Sequence, residues 1–266
     1  MRNARYANNS LHQGKNMNTK NYYEYLKREN LLGFFYQFDN KISAFQYAFP
    51  HEKANSSVSK DVKVLDWGCG QGHFSCFLDY IGCKTSGYSF DGFPEALKGK
   101  KNFSYEVGNK ASPIEIPFQD KTFDAVFSIG VLEHVHETGG DQLKSLNQIE
   151  RILKKEGRFY CFHLPNKYSW VEAMISVIYK FTKVHGSAPH SKKFCKNDVE
   201  KLIKPSGFKL IEYHSYNFLP RNFTKKLFPK GVHSKLFQFI FEKSDYILSK
   251  CLPFICNQSY FCAEKI

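Results

Sequence analysis

Between Val62 and Phe74 the chain reads Val62-Lys63-Val64-Leu65-Asp66-Trp67-Gly68-Cys69-Gly70-Gln71-Gly72-His73-Phe74. An apolar run ends in an acid, and glycine then stands at every second position. Val62, Val64 and Leu65 are the residue types of a buried parallel strand. Phe74, Phe77, Leu78 and Ile81 recur at helical spacing, and Gly82 is placed to stop that helix. Strand, glycine loop and helix in this order make the first turn of a doubly wound α/β domain. Without a Cβ the loop lets a ligand approach the backbone closely. A dinucleotide fingerprint needs its third glycine at position 73, where this chain has His73. The acid at the strand end suits a cationic ligand better than a pyrophosphate.

Further strands follow in sequence. Thr85–Ser89 and Phe103–Val107 read as the second and third, and Thr122–Ser128 as the fourth, running into Ile129-Gly130-Val131-Leu132-Glu133-His134. Leu143, Leu146, Ile149, Ile152 and Leu153 predict an amphipathic helix ending at Gly157. Phe159–His163 reads as the fifth strand, Phe208–Tyr213 as the sixth and Ser259–Ile266 as the last. Asp66-x-Gly68-x-Gly70-x-Gly72, with the runs around Phe123–Val135 and Glu150–Asn166, resembles the class I S-adenosylmethionine-dependent methyltransferases, in their small-molecule, type 11-like branch. The resemblance covers roughly residues 60–215.

That resemblance implies an α/β fold: a doubly wound, mostly parallel seven-stranded sheet of the Rossmann-like methyltransferase type. Its final strand would insert antiparallel beside the sixth. It also implies S-adenosylmethionine as cofactor, held by Asp66, Gly68, Cys69, Gly70 and Gly72 and by Ile129 and Gly130. The family normally closes its second strand with an acid that binds both ribose hydroxyls, since a carboxylate accepts two hydrogen bonds. Here Ser89 stands there, with Asp91 two residues later. Either Asp91 reaches back to the ribose or it only occupies the turn before Gly92. Asn109 falls near the adenine-contacting position and is equally suited to a plain turn.

A chain of 266 residues with 26 Phe and 16 Tyr can bury one substantial core. Residues 1–20 are expected to form a flexible tail, with Met17 as an alternative start, residues 21–55 a helical cap, and residues 56–266 the methyltransferase domain. Asn21-Tyr22-Tyr23-Glu24 resembles a capping box opening a helix through Leu32. Trp170, Met174, Val177, Ile178 and Phe181 form a helical stripe, either core or part of a lid over 166–192. A helical insertion over 217–258 is expected to pack on the sheet or, with its lysines, to touch a membrane surface. The eight cysteines contain no C-x-x-C pair, and the N-terminus lacks the apolar centre of a signal peptide. A cytoplasmic protein without a metal site is expected, with a location peripheral to the inner face of a membrane as the other reading. The net charge of +13 attracts anionic partners or merely keeps the surface soluble.

Methyl transfer to a hydroxyl needs a proton acceptor near the methyl. Glu133 and His134 follow the fourth strand at the carboxyl edge of the sheet, where such folds bind ligands. His134 is the first candidate base, and His136, His163 and His190 are secondary ones. The chain lacks the Asn/Asp-Pro-Pro-aromatic run of base-amino methyltransferases and the Pro-Cys pair of a cytosine-C5 nucleophile. A small-molecule, sugar or lipid-linked acceptor is therefore expected rather than nucleic acid. The alternatives are an RNA methyltransferase using the basic surface and a non-catalytic partner subunit. The oligomeric state is not legible in the sequence.

Overall fold

A computed structural model describes residues 19–182 and 188–266. Its strands are β1 (Lys63–Trp67), β2 (Lys84–Ser89), β3 (Phe103–Val107), β4 (Phe123–Ile129), β5 (Leu153–Pro165), β6 (Phe208–Tyr216) and β7 (Gln258–Lys265). They form one seven-stranded sheet in the order β3-β2-β1-β4-β5-β7-β6. Strands β1 to β5 pair in parallel. Strand β7 enters antiparallel between β5 and β6, as the resemblance implied. The order reverses between β1 and β4, and in a doubly wound sheet that point opens the ligand crevice.

The helices are α1 (Thr19–Arg28), α2 (Lys41–Ala44), α3 (Ala48–Ser57), α4 (His73–Tyr80), α5 (Gln142–Ile152), α6 (Trp170–Thr182), α7 (Lys196–Ile203), α8 (Arg221–Leu227) and α9 (Lys235–Cys251). Strand residues alternate between two cores. Phe127, Tyr160, Phe162 and Tyr260 meet Phe74 and Phe77 of α4 and Tyr22 of α1 on one face. Val126, Phe159 and Phe261 meet Leu146 and Ile149 of α5 and Val199 of α7 on the other. Burying each such side chain contributes roughly 1.5–3 kcal/mol before entropy is counted. Tyr22 also donates from its hydroxyl to the His73 carbonyl at 2.8 Å, tying α1 to the start of α4.

Several boundaries differ from the sequence reading. Helix α1 is already formed at Thr19, the first described residue, so Asn21–Glu24 lies inside it and does not open it, and residues 19–20 of the expected tail are helical. It stops at Arg28, short of Leu32, because Asn30 takes a left-handed φ of 56° and Leu31 N–H closes back on the Leu26 carbonyl at 2.8 Å, a Schellman-type end. Residues 1–18 of the expected tail lie outside the described residues. Helix α5 stops at Ile152, not Gly157. Its last carbonyls, on Arg151 and Ile152, accept from Lys121 and Thr122, and Leu153 already pairs with Phe123 in the sheet.

Apolar residues of both additions are exposed. The α6 stripe is no core stripe, since Val177 and Phe181 are exposed. Among the described residues α9 lies chiefly against α2 and adjoining turns. Among the described residues no helix is long and apolar enough to cross a membrane.

Candidate active site

At the β1 end the loop Gly68–Gly72 continues the sheet before turning away. Gly68 N–H and Cys69 N–H both donate to the Tyr88 carbonyl, at 2.7 and 3.1 Å. Gly68, Gly70 and Gly72 all have positive φ, yet for different reasons. A Cβ on Gly68 would fall 2.3 Å from Val131 Cγ2, and one on Gly72 would fall 2.7 Å from Leu97 Cδ1. A Cβ on Gly70 would meet no atom within 4 Å. The first and third glycines are required by packing, whereas the second faces open space.

That space is a cavity of about 1040 Å³, room for a drug-sized ligand or more. Its floor is Gly68, Cys69, Gly70, Ile129 and Gly130. Asp91 and Phe93 line it from the β2 side. Phe34, Gln37 and Tyr47 from the N-terminal segment roof it. Glu133, His134, His163, Glu172 and His190 line the far side.

Other expected residues lie elsewhere. Asp66 is not in the lining. It is buried beneath the loop and accepts from Ser75 Oγ of α4 at 2.6 Å. Burial pushes its pKa up to about 7 against the lowering effect of that bond. There Asp66 ties the end of β1 to α4. Gly72 forms the N-cap of α4. Ser89 is buried in the β2 turn, where its Oγ accepts from Asp91 N–H at 3.1 Å. Ser89 thereby fixes the turn that carries Asp91 to the cavity. Asn109 is exposed, and its Oδ1 accepts from Ala111 N–H at 2.9 Å, a turn role outside the lining.

The far side is built from side chains. Burial pushes the Glu133 pKa up to about 7, and its Oε2 is buried without a hydrogen-bond partner among the described residues. His134 is half-buried and its Nδ1 pairs with Glu137 Oε1 at 2.9 Å. His163 reaches the cavity through a bulge: pairing of β5 with β7 shifts between Cys161 and Leu164, and His163 has a φ of 59°. Bulges re-aim side chains in this way. Burial pushes the His163 ring down to about 4.

His190 is held twice by buried Glu172 of α6. Its ring Nδ1 lies 2.7 Å from Glu172 Oε1 and its N–H donates to Oε2 at 3.1 Å. Lys193 Nζ completes the cluster, 3.2 Å from Oε2. The bond to Glu172 raises the His190 pKa. Burial alone would raise Glu172, but His190 and Lys193 hold it below its ordinary value. His136 lies outside the lining, with its Nε2 3.0 Å from Ser191 Oγ. Trp170 also points elsewhere and donates from Nε1 to the Phe218 carbonyl at 2.9 Å.

Comparison with known proteins decides the family. Residues 65–161 match the model of a methyltransferase domain. An uncharacterized protein of Methanocaldococcus jannaschii is 32% identical over 181 residues, 68% of each chain. The chain belongs to the class I S-adenosylmethionine-dependent methyltransferases. An uncharacterized methyltransferase of Synechocystis is 27% identical over 164 residues, 61% of this chain and 74% of that protein. Phosphoethanolamine N-methyltransferase 2 of Haemonchus contortus, solved with S-adenosyl-L-methionine, shares the fold with a TM-score of 0.54 and 17% identity, over 92% of this chain and 60% of that one. This methyltransferase therefore carries its family's glycine loop on its family's sheet.

Proposed function

We propose that the enzyme methylates a hydroxyl on a small-molecule, sugar or lipid-linked acceptor, with His190 as the proton acceptor. The observation that carries this reading is the division of one cavity into a glycine-floored half and a half lined by Glu133, His134, His163 and the Glu172–His190 pair. The open Cβ direction of Gly70 fits close approach of S-adenosylmethionine to the loop backbone. Gly68, Cys69, Gly70, Ile129 and Gly130 would hold its amino-acid end, and Asp91 its ribose.

Bound there, the cofactor supplies a methyl already activated on a sulfonium. The protein then has to align the acceptor, exclude water and remove a proton. Glu172 fixes one nitrogen of His190, so the other is left to take a proton from the acceptor in the cavity. In His134 the Nδ1 bond goes instead to Glu137, an exposed partner, which makes a looser base. Glu133 lines the same half of the cavity beside His134. Tyr47 and Phe34 line the same cavity, where they would help to exclude bulk water.

The test uses calorimetry and label tracing. S-adenosylhomocysteine should bind at one site in the isolated protein. After incubation of methyl-labelled S-adenosylmethionine with a cell extract, label should enter the small-molecule or lipid fraction. His190→Ala should slow that labelling about 10²–10⁴-fold, the usual range for loss of a general base, while affinity for S-adenosylhomocysteine stays unchanged. Label recovered in the nucleic-acid fraction would sink the acceptor assignment.

A further inference from the structure

Helix α9 is amphipathic in the wrong sense for a helix folded onto a core. Its inward face carries Phe237, Phe241, Asp245, Leu248 and Ser249, and much of its anchoring is polar. The Arg221 guanidinium, buried, bridges Glu242 and Asp245, each at 2.6 Å. Asp245 also accepts from Leu219 N–H at 2.6 Å, and Ser249 Oγ accepts from Phe218 N–H at 3.1 Å. The outward face carries Leu236, Phe239 and Ile240 and, seven residues beyond the last two, Tyr246 and Ile247. Leu236 is 68%, Phe239 60% and Ile247 56% exposed. Phe254, in the turn after α9, and Leu227 and Phe228, before it, are exposed as well. An exposed apolar helix face of this kind marks an interaction site.

Charge selects the occupant. Lys243 and Lys250 lie on the same outward stripe, over the rings of Phe239 and Tyr246 at 5.9 and 4.4 Å. The two acids of the helix, Glu242 and Asp245, are both engaged by Arg221, so the outward face presents cations alone. Lysines that lie along apolar rings can bury their stems in a hydrocarbon boundary while the ammonium stays at headgroup level. Apolar and aromatic residues interleaved with lysine are what an interfacial helix offers an anionic bilayer. A second copy of the chain would bring its own lysines against these, in a protein of net charge +13.

We infer that the outward face of α9 docks the enzyme on an anionic lipid surface. Arg221 is the clamp that turns the polar side of the helix inward and leaves the apolar side for the membrane. The proposal does not depend on the acceptor chemistry, because its readout is binding to lipid and involves no methyl transfer.

Co-sedimentation of the full chain with vesicles of phosphatidylcholine alone, and with about one third phosphatidylglycerol, tests it. Binding should be at least tenfold tighter to the anionic vesicles and should weaken with added salt. The double variant Phe239→Glu/Ile247→Glu should lose that binding, and Lys243→Glu/Lys250→Glu should lose the preference for anionic lipid. Both should keep the parent affinity for S-adenosylhomocysteine, which reports an intact fold. Equal sedimentation of parent and Phe239→Glu/Ile247→Glu would overturn the proposal. So would a parent that ignores both vesicles, or light scattering that shows a dimer dissolved by Phe239→Glu/Ile247→Glu, which would make a second copy the occupant.

Discussion

At the β1–β4 end the cavity surface is largely backbone: Gly68, Gly70 and Gly130, all at positive φ. At the β5–α6 end it is side chains: His163 on a bulge, Glu172 on a helix, and His190 from the loop beyond it. The two ends fail differently under mutation. A backbone surface depends on what is absent from the residue and is damaged by adding atoms. A side-chain surface depends on ionisable groups and is damaged by removing them or changing pH. This is the arrangement expected of a fixed cofactor end joined to an acceptor end that can be varied.

The largest effect is expected within the glycine loop. Gly70→Val places a branched side chain in space that now holds no atom within 4 Å, so it should abolish S-adenosylhomocysteine binding in a calorimetric titration. The left-handed φ of 49° adds roughly 1–2 kcal/mol of backbone strain, and the unfolding transition should stay cooperative. Gly68→Val should instead lose the fold locally, since its Cβ would fall 2.3 Å from Val131. If Gly70→Val binds like the parent, the cofactor does not lie on this loop.

This contrast also explains what could be read in the sequence. Backbone surfaces need glycine at fixed offsets after a strand, so the loop and Ile129-Gly130 stand out in the chain. Glu133 and His134 were legible because they directly follow β4. Glu172 and His190 are 18 residues apart and meet only through the path of the chain after α6. No spacing announces such a pair, and His190 stood out only as a histidine. The aim of His163 depends on a bulge that no residue type signals. Asp66 is legible at the end of the apolar run, whereas its bond from Ser75 Oγ depends on the packing of α4 against β1. Periodicity found both α6 and α9, yet it gives the direction of an apolar stripe without saying whether the stripe faces in or out.

At the side-chain end, Glu133 offers a pH test. Its ordinary pKa is 4.5 and burial raises it to about 7. Between those values the folded chain holds a proton that the unfolded chain has released. Stability therefore falls as pH rises through this window and levels off above it, a loss on the order of 2–4 kcal/mol. Glu133→Gln removes the titration. It should unfold at higher denaturant than the parent at pH 8.5, with a gap of roughly that size, and differ by under about 1 kcal/mol at pH 5. The same variant should turn over more slowly, being more stable and less active. Parallel pH profiles for parent and Glu133→Gln would mean that this carboxylate is better solvated than its burial implies.

The smallest expected effect lies where backbone and side chain share the work. Asp91 lines the cavity from a turn that Ser89 Oγ fixes and that Tyr105 supports by donating to the Asp91 carbonyl at 2.6 Å. If its carboxylate takes the place of the acid that usually ends the second strand, Asp91→Ala should weaken S-adenosylhomocysteine binding by about 1.5–3 kcal/mol, the range for a hydrogen bond to a charged group. Ser89→Ala keeps the carboxylate and loses two neutral bonds of its Oγ, with Asp91 N–H and the Tyr105 hydroxyl, so it should cost less, about 0.5–1.5 kcal/mol. The order of the two losses matters more than their size. A larger loss in Ser89→Ala would show that turn geometry, not the Asp91 charge, holds the ribose. That outcome would extend backbone control to the whole cofactor end.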